Sequence, residues 1–209
     1  MLYQGFALQA FDTRGLAHFF DWNLTLPLRE GQGVLAAFND TQRSLPILYN
    51  MVQGSIQIAI RGTQLNFCVG LPEGASLATH PYGITVDYFI RSLVQVLQQT
   101  RITREQWSSL PHSVRSRTAL ARYRRMNPDV ISEQGEIPFQ LLQTQRSNSI
   151  GANLERLTVD SKSYREAAGN ALLVDVLGEE TLFVGLNVVG WASDGSDLFF
   201  ELFTCAPPS

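Results

Sequence analysis

The segment from His112 to Asp129, HSVRSRTALARYRRMNPD, carries the most concentrated positive charge in this chain of 209 residues. Five arginines fall within eleven positions, and no acidic residue follows until Asp129. They are Arg115, Arg117, Arg122, Arg124 and Arg125. A guanidinium group binds phosphate or carboxylate through two parallel hydrogen bonds. The stretch therefore predicts a contact surface for an anionic partner, in a chain whose formal net charge is −3.

These arginines are predicted to lie on a helix from Ser113 to Met126. Asn127–Pro128 is the signal that ends this helix. At 3.6 residues per turn, three of them share one broad face: Arg115, Arg122 and Arg125. The other two lie nearer the opposite side. Such a helix has little apolar surface to bury in its own core, which favours a homo-oligomer.

Two interpretations of this helix stay open. In the first, the arginines pair with acids of the C-terminal part, where seven acids and no basic residue occur from Glu166 onward. In the second, they contact an anionic macromolecule, either RNA or another nucleic acid, or an acidic protein surface. Trp107 and Tyr123 could then stack on bases. The second interpretation is the functional hypothesis, a non-enzymatic binding or assembly protein.

Local catalytic and cofactor motifs are missing: the sequence has no phosphate-binding loop, dinucleotide fingerprint, nucleophile elbow or zinc-protease motif. His18, His80 and His112 lack ligand spacing, so we predict no metal and no cofactor. Cys68 and Cys205 are the only cysteines, and two buried thiols in a reducing compartment are expected rather than one disulfide.

The compartment follows from two further observations. The first residues have no basic region followed by an apolar run, and no stretch approaches the roughly 18 apolar residues of a membrane span. We therefore expect a soluble, cytoplasmic protein with no membrane partner.

The N-terminal part is predicted to form mostly antiparallel strands. SIQIAIR alternates apolar and polar residues, and Gly62–Thr63 fits a two-residue turn into QLNFCVG. GVLAAF and SLPILYNMV are expected to be neighbours in the same sheet.

The middle is predicted to be helical. Residues 86–97 show the apolar stripe of a core-facing helix, for which Thr85 is the expected N-cap. Thr103 and Gln106 have the spacing of a capping box for the next helix.

The C-terminal part is predicted to add a strand near residues 139–143, a short helix at SYREAAG, and a three-stranded meander. The meander consists of ALLVDVL, TLFVGLNVVGW and DLFFELF. No linker divides the chain, so an α+β fold in one domain, residues 1–209, is expected.

Two strings in the first third of the chain carry a resemblance to a family: FALQAFDTRGLAHFFDWNL and TQRSLPILYNMVQGSIQIAIRGTQLNFCVG. They resemble the opening strand, first helix and following strands of ribosome-inactivating proteins, the RNA N-glycosidases. The resemblance implies an enzyme that stacks adenine between two tyrosines and uses a glutamate and an arginine spaced ExxR. Here Asn66–Phe67 stands where the first tyrosine would fall, and no ExxR occurs. The alternative function is therefore such an enzyme or an inactive relative.

Overall fold

The computed structural model of the chain describes residues 22–48, 55–71, 83–126, 170–191 and 198–207. These residues form helices and a mixed sheet, so the predicted α+β class is confirmed. Their contacts separate into two compact units. One contains the described residues up to Gln98 and from Glu180 onward, and the other contains those from Gln99 to Glu179. The single domain stays a prediction.

The first unit is built on a four-stranded sheet in the order β2-β1-β4-β3. Its strands are β1 (Ser55–Ile60), β2 (Asn66–Gly70), β3 (Leu182–Trp191) and β4 (Leu198–Cys205). β1 pairs with β2, and β3 with β4, in antiparallel fashion. The two hairpins join through β1 and β4, which are parallel. Strands distant in the sequence therefore meet at the centre of the sheet.

β1 has the expected alternation, because Ile56, Ile58 and Ile60 are buried between half-exposed neighbours. The turn after it is longer than predicted. Five residues, 61–65, connect the two strands, and the Thr63 N–H donates to the Ile60 carbonyl at 3.1 Å. Gly62 takes a φ of 72°, which favours glycine. The hairpin was therefore predicted correctly, but the prediction of a two-residue turn was wrong.

Both cysteines are thiols, but the expected burial is wrong for Cys68, which is exposed, and Cys205 is half-buried. The register explains why they cannot form a disulfide. Cys68 on β2 lies level with Gln57 of β1, which in turn lies level with Phe199 of β4. Cys205 lies six residues further along β4. Six residues of strand span roughly 20 Å, far beyond the reach of a disulfide.

Two expected neighbours of β1 are not strands. GVLAAF contains a 3₁₀ helix, η1 (Gly33–Ala37), in which the adjacent residues Val34 and Leu35 are both buried. A half-exposed strand would place them on opposite faces. In SLPILYNMV, the described residues 45–48 contribute isolated bridges, one of them between Pro46 and Thr85. They follow a short helix, α1 (Asp40–Ser44), which an Asn39–Gln42 capping box starts.

The predicted core helix of the first unit is confirmed as α2 (Val86–Gln99). All five residues of its stripe are completely buried: Val86, Phe89, Ile90, Leu93 and Leu97. The Thr85 hydroxyl accepts a hydrogen bond from the Tyr88 N–H at 3.3 Å, as an N-cap does.

The second unit contains α3 (Arg104–Ser109), α4 (His112–Met126) and a 3₁₀ helix, η2 (Leu173–Leu177). The capping box of α3 is present, because Gln106 N–H donates to the Thr103 hydroxyl and Thr103 N–H donates to the Gln106 side chain. The predicted arginine helix is confirmed and begins one residue earlier than expected.

ALLVDVL was expected to be the first strand of a meander, and this prediction was wrong. It contains η2, whose five residues are all buried. A short apolar run is consistent with a buried strand or with a buried helical turn, and here the turn forms. The remaining two strands are the β3–β4 hairpin. The strand near 139–143 and the helix at SYREAAG lie outside the described residues.

No helix among the described residues is both long and apolar enough to cross a membrane.

Candidate anion-binding surface

α4 is a half-buried helix that packs against η2. Its fully buried positions are few and small: Val114, Thr118 and Ala119. The Thr118 hydroxyl donates to the Val114 carbonyl at 2.7 Å, which satisfies that polar group inside the seam. The apolar seam is as thin as the sequence indicated, so side chains other than the seam must help to hold α4.

Arg125 holds the end of α4 to η2 through a two-pronged ion pair with Asp175. Its Nε donates to Oδ1 at 2.9 Å, and its Nη2 donates to Oδ2 at 2.8 Å. Asp175 is 3% exposed, whereas the Arg125 side chain is 34% exposed. These hydrogen bonds raise the pKa of Arg125 above its ordinary value. A bidentate arginine–carboxylate pair is among the stronger polar contacts in proteins.

Two backbone groups complete this pair. The Leu172 N–H donates to Asp175 Oδ2 at 2.9 Å, and Arg125 Nη2 also donates to the Asn170 carbonyl at 2.9 Å. The Asp175 carboxylate therefore caps the start of η2 while it accepts the arginine. Because each carboxylate oxygen is hydrogen-bonded, the buried charge is well compensated.

Arg124 makes a different kind of pair. Its Nη1 donates to Glu179 Oε1 at 2.9 Å through a single contact, and the two side chains are 36% and 72% exposed. Glu179 follows Gly178, which ends η2. Exposed pairs of this kind contribute little to stability.

Arg117 lies against the same turn through the aliphatic part of its side chain. The Cβ, Cγ and Cδ atoms of Arg117 approach the Cβ position of Gly178 to within 3.4 Å. The turn after η2 is therefore in contact with Arg117 and Arg124, while η2 itself contacts Arg125.

The other predicted residues have mixed positions. Arg115, Arg122 and Tyr123 are half-buried on α4. The Nε of Arg115 is buried and meets no hydrogen-bond acceptor in the part of the chain that the structure describes. Trp107 on α3 is 2% exposed, so its ring belongs to the core and does not fit the stacking role suggested for it.

The partners of the arginines could not all be found by sequence reasoning. The seven acids from Glu166 onward include both partners, Asp175 and Glu179, but their surplus does not show which acid meets which arginine. One local signal did exist, because an aspartate inside the apolar run LVDVL must find a compensating charge if the run is buried. Nothing local indicates that this charge is Arg125, fifty residues earlier in the chain.

The first unit also has a surface pocket of about 360 Å³, lined by nine residues of the segment 22–34. Its wall is largely apolar and includes Trp22, Leu26 and Leu28. None of the residues predicted for function lines it. Across the described ranges, no group of three or more His, Cys, Asp or Glu side chains is placed to hold a metal ion.

Comparisons with family models, with curated proteins and with solved structures were made for the whole chain. They find no match.

Charge is unequally divided between the units. The sequence of the second unit, residues 99–179, has eleven basic and nine acidic residues, whereas the rest of the chain has five basic and ten acidic residues. Within the described part of the second unit, seven arginines face three acids. A positive patch of this kind attracts anions over roughly one Debye length, about 8–10 Å in physiological salt.

Proposed function

We propose that this protein is a non-enzymatic binding protein of the cell interior, which uses α4 to contact an anionic macromolecule. RNA is the preferred partner class. The observation that carries the proposal is the surplus of arginine on α4: five guanidinium groups and no acid within fifteen residues. Arginine binds phosphate with a planar, forked geometry.

The contacts of α4 decide which arginines belong to the proposed surface. Arg125 is held by a buried carboxylate, so it serves the structure of the second unit. Arg124 lies at the surface, and Arg115 has a donor without an acceptor among the described residues. Arg117, Arg122 and Tyr123 lie on the same half-buried helix. We therefore assign binding to α4 without Arg125.

The test is RNA binding by a triple variant, Arg115→Gln/Arg122→Gln/Arg124→Gln. We expect its affinity for a labelled single-stranded RNA to fall by more than tenfold, measured by fluorescence anisotropy. The slope of log K against log salt should shrink by about two units, since each contact to a single strand contributes about 0.7. Far-ultraviolet circular dichroism and thermal melting verify that the variant is folded.

The matched control removes three positive charges elsewhere: Arg29→Gln/Arg101→Gln/Arg104→Gln, all at exposed positions. Its affinity should change much less. Equal losses in the two variants would mean that only net charge matters, and a wild-type protein that binds no RNA at low salt would contradict the proposal. Polyglutamate as a competitor separates phosphate recognition from recognition of an acidic protein surface.

A second candidate is the RNA N-glycosidase suggested by the resemblance of residues 5–70, or an inactive relative. The hairpin that carries part of this resemblance forms as β1 and β2. At the position of the expected tyrosine, Asn66 is exposed and Phe67 is 7% exposed within the core, so neither offers a ring for stacking. Specific adenine release from intact ribosomes would favour the enzyme and overturn the non-enzymatic proposal.

A homo-oligomer stays a prediction. Sedimentation at low and high salt tests it, because a charge-driven assembly dissociates as salt rises.

A further inference from the structure

The ion pairs of Arg124 and Arg125 differ in how easily they can open. The Asp175 carboxylate is buried, accepts two hydrogen bonds from Arg125 and is also held by the Leu172 N–H. Release of Arg125 would leave an unpaired charge in the core, which proteins avoid. Glu179 is 72% exposed and makes a single contact of 2.9 Å with Arg124. Its carboxylate can turn into water at little cost.

The position of Glu179 is set by the turn before it. Gly178 has a φ of 64° and packs against the side chain of Arg117. The turn therefore delivers the next residue, Glu179, to the part of α4 where Arg117 and Arg124 project. A carboxylate placed there resembles the anion that the proposed surface would bind.

We infer that Glu179 occupies the anion position at Arg124 and competes with the anionic partner for that guanidinium group. This inference rests on the proposed function for its biological meaning, and it identifies how that site is regulated. The Arg125–Asp175 pair keeps α4 in place, while the Arg124–Glu179 pair opens. The partner must then supply a stronger acceptor than one exposed carboxylate, as a phosphate does.

The competition can be measured with inorganic phosphate alone. Phenylglyoxal modifies accessible arginines, and mass spectrometry reports the rate at each residue. We expect Arg124 to react faster in Glu179→Gln than in the wild-type protein. We also expect phosphate to halve that rate at a concentration about threefold lower in the variant, because the loss of one exposed pair changes affinity by about this factor.

The matched control is Glu180→Gln, which removes the same charge one residue later. It should leave the phosphate dependence at Arg124 unchanged, and Arg125 should react slowly in all three proteins. The inference is overturned if Glu179→Gln shows the wild-type phosphate dependence, or if Glu180→Gln shifts it equally. The expected shift in a protein that binds no RNA would keep the inference and overturn the proposed function. A protein that binds RNA but shows no shift in phosphate dependence in Glu179→Gln would keep the proposed function and overturn the inference.

Discussion

The backbone of Gly178 lies in contact with the side chain of Arg117. A Cβ atom at residue 178 would stand 3.2 Å from Cδ and 3.3 Å from Cγ of Arg117, closer than most Cβ contacts in proteins. Gly178 also has a φ of 64°, in the left-handed region that favours glycine. Close approach and backbone conformation thus act at the same residue, and substitution can separate their contributions.

Gly178→Ala should lower the free energy of unfolding by about 2 kcal/mol, since backbone strain and the contact with Arg117 both contribute. Gly62→Ala is the matched control, because Gly62 has a φ of 72° but open space around its Cβ position. It should cost about 1 kcal/mol from strain alone. Urea denaturation measures both. When Arg117→Ala is also present, Gly178→Ala and Gly62→Ala should lower the free energy of unfolding by similar amounts. If Gly178→Ala still cost more, the contact with Arg117 would not be the cause of the difference.

The ion pair of Arg125 should stabilise the protein far more than that of Arg124. Arg125→Gln leaves the Asp175 carboxylate buried with one backbone donor, so we expect a loss of about 3 kcal/mol in the free energy of unfolding. Arg124→Gln breaks an exposed pair and should cost less than about 1 kcal/mol. Similar losses in chemical denaturation would show that burial of Asp175 does not matter.

The difference in the free energy of unfolding between Arg125→Gln and Arg124→Gln should not depend on pH near neutrality. Hydrogen bonds to Asp175 raise the pKa of Arg125, so its contribution is lost only as pH rises through the raised value. Between about pH 6 and 9 the arginine stays charged, and the gap between the two variants should remain constant.

Local signals predicted α2, α3 and α4 well. The stripe of α2 and the Thr103–Gln106 box depend on residues within a few positions of each other, so the sequence contains all the information that they need. Features that depend on non-local contacts were predicted poorly. In LVDVL, Asp175 caps the start of a helical turn and meets Arg125 on another helix, and this ion pair is not visible in the run itself. The parallel pairing of β1 with β4 is equally invisible, because alternation shows which face is buried and not which strand is adjacent.

The helix that carries the candidate surface was predicted, whereas the contacts of its arginines were not. The arginine spacing identified α4 correctly. It could not separate Arg125, which pairs with a buried acid, from Arg124, which pairs with an exposed one, because both precede Met126 in the same helical turn. Trp107 was suggested for stacking as an aromatic residue near the arginines, yet it is buried.

The two thiols should react at different rates. Cys68 is exposed on β2, whereas burial and then the nearby charge of Glu180 raise the pKa of the Cys205 thiol. Less thiolate is present at a given pH when the pKa is higher, so iodoacetamide should modify Cys68 first at about pH 8. Cys205 should gain on Cys68 as pH increases, and Glu180→Gln should accelerate it. Mass spectrometry measures the rate of modification at each cysteine. Equal rates for Cys68 and Cys205 at pH 8 would contradict this expectation.

The parallel pairing of β1 and β4 has a consequence for synthesis on the ribosome. About 140 residues separate the two strands, and the second unit lies within that interval, so β1 emerges long before its neighbour exists. At typical elongation rates the delay is on the order of ten seconds. During that time one edge of β1 lacks its β4 partner and can pair with other chains. We expect chaperones to bind nascent β1, or the chain to fold more slowly than its α-helices alone would.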